Sequence, residues 1–244
     1  MSFLLDVVRW FLNPAHWQGD GGIPHRVEEH VVMSLAAIAV SALIALPIGL
    51  TLGHVGRGGP LAINVSNVGR ALPSFAILVV AVQVVGIGAT PAFLALVALA
   101  IPPMVTNAFV GMRDVDPQLR DAARGLGMSG LRVLTRVELP NAMPVVMAGV
   151  RTAGVQVVAT ATLAALVAWG GLGRFIVDGL SQRDFVQVFA GALLVAVLSA
   201  VTELVLAVLQ RLLTPTGLRS AARREPARVV AADPVKHDAS ILVR

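Results

Sequence analysis

Cysteine and tyrosine are absent from this 244-residue chain, and Asp, Glu, Lys and Arg together supply only 14% of it. Without cysteine there can be no disulfide, thiolate nucleophile or Cys-ligated metal site. The five histidines, His16, His25, His30, His54 and His237, are scattered without metal-ligand spacing, so no metal site is expected. Neither G-x4-G-K-[ST] nor a strand-led G-x-G-x-x-G occurs, so the chain carries no recognisable nucleotide or dinucleotide site. No catalytic residue and no cofactor is expected. The shortage of charge says most, because a soluble domain carries about 25% charged residues and 56% of this chain is hydrophobic. The chain reads as an all-α integral membrane protein, with room for one membrane domain and no attached enzyme domain. A net charge of +5 would suit nucleic acid, but the basic residues flank apolar runs and read as topology signals. The expected partner on composition alone is the lipid membrane.

The apolar runs divide the chain into about five spans, near 31–53, 72–86, 91–112, 142–168 and 186–210, since about twenty apolar residues cross the hydrocarbon core. Pro47 should kink the first span, and Pro102 and Pro103 should distort the third. The transmembrane domain is placed at 30–218. Residues 1–29 form an extracytoplasmic segment in which SFLLDVVRWFL, interrupted by Asp6 and Arg9, reads as an amphipathic interfacial helix rather than a cleavable leader. A disordered N-terminus is the other reading. The segment GGLGRFIVDGLSQRD is too polar to cross and should lie at the surface. Residues 219–244 mix Ala, Pro and charge without periodicity and read as a disordered cytoplasmic tail. The loop after span one carries two basic residues, the 113–140 loop five and the chain after span five seven, whereas four, Arg9, Arg26, Arg174 and Arg183, fall on the opposite side. The positive-inside rule then places the N-terminus outside and the C-terminus inside.

Between two very apolar regions stands DPQLRDAARGLGMSGLRVLTRVELP, residues 116–140. Asp116 can cap a helix with Pro117 at its first position, and Gly127 stops it. Leu119, Ala122, Ala123 and Leu126 follow helical spacing on one face, with Gln118, Arg120, Asp121 and Arg124 on the other. Ser129 can cap a second helix carrying Leu131, Leu134 and Val137, which Pro140 closes. A rod of about ten residues is about 15 Å long, a length that suits docking into a groove of another protein.

In this stretch Asp121-Ala122-Ala123, three residues, Gly127, nine residues and Val137-x-Leu139-Pro140 resemble the EAA loop of ATP-binding-cassette importer permeases, E-A-A-x3-G-x9-I-x-L-P. MPVVMAGVRTA, ATATLAALVAWGGLG, FAGALLVAVL and QRLLTPTGLR extend the likeness to the permeases for glycine betaine, choline, carnitine and related osmoprotectants. The motif's Glu is Asp121 here and its Ile is Val137. The resemblance implies a type I, MetI-like importer fold in a bacterial cell membrane. It also implies that Leu119, Asp121, Ala122, Ala123, Leu126, Gly127, Val137, Leu139 and Pro140 couple the chain to separate cytoplasmic ATPase subunits. A second permease subunit, identical or related, and an extracytoplasmic substrate-binding protein are the other partners implied. Methionine or another amino acid is the alternative cargo. A stand-alone channel or ion-coupled transporter is the alternative of a different class, but it wants paired intramembrane acids or interrupted-helix repeats.

Few polar residues lie within the spans. Asn107, Gln156 and Thr160 can line an uncharged translocation path or bond across helices as packing contacts; the residues themselves leave both readings open. With three Trp and no Tyr, the chain has no obvious aromatic cage for a quaternary ammonium group, so selection is expected to lie on the binding protein. Arg151 and Glu203 are charges within spans four and five, each about eight residues from a cytoplasmic span end, hence about 12 Å deep. They can form an ion pair or each reach the interface separately.

Overall fold

The computed structural model describes residues 2–215. The expected disordered tail lies outside the described residues. Among the described residues, four helical stretches are long and apolar enough to cross a membrane: Ile23–Val55, Ala89–Arg113, Gly130–Val167 and Phe185–Leu213. In chain order the α-helices are α1 (Ser2–Leu12), α2 (Ile23–Val55), α3 (Gly59–Ala71), α4 (Ser74–Val85), α5 (Ala89–Arg113), α6 (Pro117–Gly125), α7 (Gly130–Val133), α8 (Leu139–Thr160), α9 (Gly173–Gln182) and α10 (Phe185–Leu213). The expected second span is thus the 12-residue α4. At about 1.5 Å per residue it is about 18 Å long, short of the hydrocarbon thickness. The preceding loop is itself helical as α3, and α2 starts at Ile23 and carries Arg26, Glu28, Glu29 and His30 in its first turns.

The centre is a three-helix contact of α2, α5 and α8, built from small residues. Ala37, Ala45, Ala100, Ala108 and Ala153 have no exposed surface. A Cβ on Gly49 would stand 2.6 Å from Ala108 Cβ, one on Gly53 2.4 Å from Met112 Cβ, and one on Gly149 2.6 Å from Asn107 Cβ. Lipid tails are as apolar as leucine, so helices in a membrane associate through such close backbone approach rather than by hydrophobic exclusion. Met104 and Met112 fill the remaining volume with no exposure. Ser41 Oγ on α2 donates to Ala37 O at 2.7 Å and lies 3.2 Å from Val97 O of α5.

Two departures from the expected boundaries have backbone causes. Pro140 does not close the second helix of the 116–140 stretch. The chain passes from α7 through a wide turn at Leu134–Glu138 directly into α8. There the Leu139 N–H reaches Leu134 O, five residues back, and Asn141 Nδ2 donates to Val137 O at 2.6 Å. The bulge absorbs the N–H that Pro140 lacks. At its far end α8 tightens into a 3-10 stretch, Ala161–Val167, ended by Ala168 in the left-handed region at φ 62°.

The peripheral helices wrap this core. Helix α1 turns Val7 and Trp10 inward, and Trp10 meets Phe175 of α9 edge-on at 5.5 Å while Phe3 meets Phe189 of α10 likewise. Leu4, Leu5, Val8 and Leu12 of α1 remain exposed, an outward apolar face that suits the membrane interface. Helix α10 leaves Val197, Val201, Leu204 and Val208 exposed, as a lipid-facing helix does. It is fastened to α8 by polar contacts. Arg151 Nε lies 2.7 Å from Glu203 Oε1, Arg151 Nη1 donates to Gln210 Oε1 at 3.0 Å, and Gln210 Nε2 donates to Pro144 O at 2.8 Å.

An unpaired charge within a span costs about 2.5–3.5 kcal/mol on insertion scales. Arg151→Glu and Glu203→Arg should therefore each lower the amount of folded protein in the membrane, and the double exchange should restore much of it. The measurement is a double-mutant cycle on membrane-inserted protein; a double mutant as defective as the worse single mutant would show that the two side chains are not coupled.

Candidate coupling site and transport path

The 116–140 stretch folds as a short arm bent back on the ends of α2, α5 and α8. Asp116 caps α6, its carboxylate accepting from the Gln118 N–H at 2.8 Å, and Gly127 at φ +79° turns the chain out of it. Ser129 makes no side-chain cap to α7. Within α6, Ala123 is buried against the body of the protein, while Leu119 is exposed at 46% and Leu126, just past its end, at 83%. Ala122 and Asp121 are exposed as well. The faces are therefore rotated from those read by spacing: Arg120 turns inward with Ala123, and Leu119, Ala122 and Leu126 form the outward stripe. Leu131 of α7 continues it at 71% exposure.

Arg120 turns inward because an acid is waiting. Glu138, the variable position between Val137 and Leu139, has no exposed surface. Its Oε1 lies 2.8 Å from Arg120 Nε, with the N–H off the line, so the contact is charge pairing rather than a directed hydrogen bond. Its Oε2 is contacted by His54 Nδ1 from the last turn of α2. Arg120 also donates through Nη2 to Met112 O near the end of α5. One carboxylate thus joins α2 and the arm to the root of α8, and its guanidinium partner adds α5. Removing one member of such a buried pair typically costs about 3–5 kcal/mol. Sequence reasoning missed this centre. Glu138 was a visible signal, a charge inside an otherwise apolar motif ending, but His54 is 84 positions away and nothing in the chain pairs them in advance.

The candidate path residues do not form one cluster. Asn107 Nδ2 donates to Pro103 O at 2.8 Å within α5, and its Cβ packs on Gly149, which favours the packing role. Gln156 is half-buried on α8, one turn before Thr160. Thr160 lines a small pocket with Ser74, Leu78 and Leu163. Sharing Leu78 with that pocket is a larger cavity of about 270 Å³, walled by Phe75, Val79 and Gln83 of α4 and by Leu166 and Val167 of the 3-10 stretch. It is a half-open, mainly apolar groove with one aromatic ring and one amide, and Phe75, Val79 and Leu166 on its walls are exposed. Arg151 and Glu203 are brought together as described above, on α8 and α10.

Known proteins share this architecture. The chain is 36% identical over 203 residues to the choline transport system permease protein OpuBB of Bacillus subtilis, a match that covers 83% of this chain and 94% of that one. It is 37% identical over 193 residues to the carnitine transport permease protein OpuCB of Listeria monocytogenes, covering 79% and 88%. It is 34% identical over 190 residues to the osmoprotectant import permease protein OsmY of Salmonella typhimurium, covering 77% and 80%. Among solved structures, an inward-facing MetNI methionine transporter superposes with a TM-score of 0.69 at 20% identity, covering 79% of this chain and 96% of that one. That likeness shows the fold. Residues 33–215 match the family of binding-protein-dependent transport system inner membrane components, and this multi-pass membrane chain belongs to it.

Proposed function

We propose that the chain is the membrane-spanning subunit of an ATP-driven importer of osmoprotectants such as glycine betaine, choline or carnitine. Supporting the cargo class are the relatives described as choline, carnitine and osmoprotectant permeases. The amino-acid alternative draws on fold likeness alone, with MetNI at 20% identity. ATP hydrolysis is assigned to separate cytoplasmic ATPase subunits, cargo capture to an extracytoplasmic binding protein, and the other half of the path to a second permease subunit.

The observation that carries the coupling role is the arm. It presents Leu119, Ala122 and Leu126 outward while Arg120, behind them, is held to Glu138 and Met112 O. An ATPase groove that takes the outward stripe and then moves would pull on α2, α5 and α8 together, because the pull reaches all three through one buried carboxylate and its partner. Glu138, Arg120 and His54 thus join Leu119, Asp121, Ala122, Ala123, Leu126, Gly127, Val137, Leu139 and Pro140 as proposed coupling residues, but with a transmitting rather than a docking role. Ala123, facing inward, supports the arm from beneath.

Uptake of labelled choline, glycine betaine and carnitine by cells lacking their own importers, given this chain with its ATPase and binding protein, tests the function directly. Competition by methionine with no effect from these three would transfer the cargo to the amino-acid class. Leu126→Glu should abolish both ATPase co-purification and uptake, since a charge enters the apolar stripe. Glu138→Gln should leave ATPase co-purification intact but lower uptake by about tenfold or more, as the loss of a charged hydrogen-bond partner predicts. Pull-down and initial-rate uptake on the same membranes check both expectations. For the orientation, a cysteine at the exposed Gly125, where a Cβ meets nothing within 4 Å, should resist an impermeant thiol reagent in intact cells. One at the exposed Ser181 should react. The opposite pattern would reverse the topology.

A further inference from the structure

One turn of α2 grips both ends of the 3-10 stretch that walls the cavity. His30 is 2% exposed and both of its ring nitrogens are used. Leu172 N–H lies 3.3 Å from Nδ1, and Nε2 lies 2.8 Å from Val158 O. A backbone N–H can only donate, so Nδ1 accepts, and the ring's proton sits on Nε2 and is given to Val158. Val158 precedes the Ala161–Val167 stretch and Leu172 follows it. Beside His30, Glu29 Oε2 accepts from Gly171 N–H at 2.7 Å and from Arg26 Nη1 at 2.9 Å. The carboxylate rests on Gly170: a Cβ there would stand 2.0 Å from Glu29 Oε2. The loop is closed on itself as well, since a Cβ on Gly173 would meet Thr162 O at 2.2 Å.

Adjacent residues of one helix therefore pin an excursion from Val158 to Leu172 at both of its ends. Between the pins lie Leu166 and Val167, which face Phe75 and Val79 across the 270 Å³ cavity. A 3-10 stretch of seven residues is longer than such stretches usually persist unaided, so its shape depends on what holds its ends.

We propose that Glu29 and His30 are positioning residues for the transport path: they clamp the 158–172 excursion so that its 3-10 wall keeps a fixed distance from α4. The inference rests on the functional reading above only in taking this cavity as part of the path. The clamp lies at the end of α2 opposite His54 and the coupling arm. Loosening it should therefore weaken cargo capture more than it slows the ATP-driven step.

The test uses the full chain assembled with its partner subunits, and the absence of cysteine from the sequence allows clean labelling. Spin labels on cysteines at Val79 and Leu166 should give a narrow distance distribution in the parent. Glu29→Ala should broaden it. Gly170→Ala, at a position that needs no left-handed backbone, should do the same by pushing the carboxylate away. Glu29→Gln, which still offers an oxygen to Gly171 N–H, should restore the narrow distribution. In unlabelled protein, Glu29→Ala and Gly170→Ala should raise the KM for uptake about tenfold, as loss of one charge-assisted hydrogen bond predicts, with a smaller change in maximal rate. Distributions as narrow as the parent's in both alanine variants would overturn the clamp, as would a glutamine variant as defective as the alanine one. A parent that takes up no osmoprotectant while the alanine variants still broaden the distances would sustain the clamp and refute the function.

Discussion

A carboxylate sealed from solvent cannot stand without cationic or hydrogen-bonding partners, and that constraint at Glu138 organises the end of this protein that carries the proposed coupling arm. Its partners come from the arm and from the last turn of α2, and Arg120 in turn ties the arm to the end of α5. Because Glu138 also sits at the root of α8, the arm cannot shift relative to the three central helices without exposing or unpairing a charge. The arm's outward leucines are free to meet a partner because the arm's inward side is already committed.

The central packing makes that attachment useful. Helices α2, α5 and α8 touch through glycine and alanine at distances that leave no room for even a methyl group at Gly49, Gly53 or Gly149. Such a contact has little slack, so displacement at one end is carried along rigid helices rather than absorbed by side-chain repacking. At the opposite end, Glu29 and His30 extend the same helix, α2, into a grip on the cavity wall. One helix thus bears on the proposed coupling arm through His54 and on the wall of the proposed path through its first turns.

Much of the architecture was legible because membranes impose simple rules. Scarcity of charge and the length of the apolar runs announced helical spans, and the Asp121 to Pro140 spacing resembled a known coupling loop. The cap at Asp116 followed from local chemistry, and the structure shows it. Where reading failed, the cause was usually a backbone group with more than one way to be satisfied. Pro140 promised a helix end, but the Leu134–Glu138 bulge and the Asn141 side chain let the helix run on. The run read as span two, 72–86, was already short of the roughly twenty residues that cross the hydrocarbon core, and Pro73 and the GIGAT turn bound it to the 12-residue α4.

The sequence by itself determined the membrane class, the helical content, the place of the 116–140 arm and the charges Arg151 and Glu203 within apolar runs, because each follows from composition or from spacing within a short stretch of chain. Only the tertiary structure decided which face of the arm looks outward, since helical periodicity groups Leu119 with Ala123 but cannot know that Glu138 will draw Arg120 inward. It also decided that Arg151 meets Glu203, that His54 meets Glu138, and that His30 reaches both Val158 and Leu172. These are contacts between residues dozens of positions apart. Their geometry is set by how closely glycine and alanine let the helices approach, and no local pattern encodes that distance.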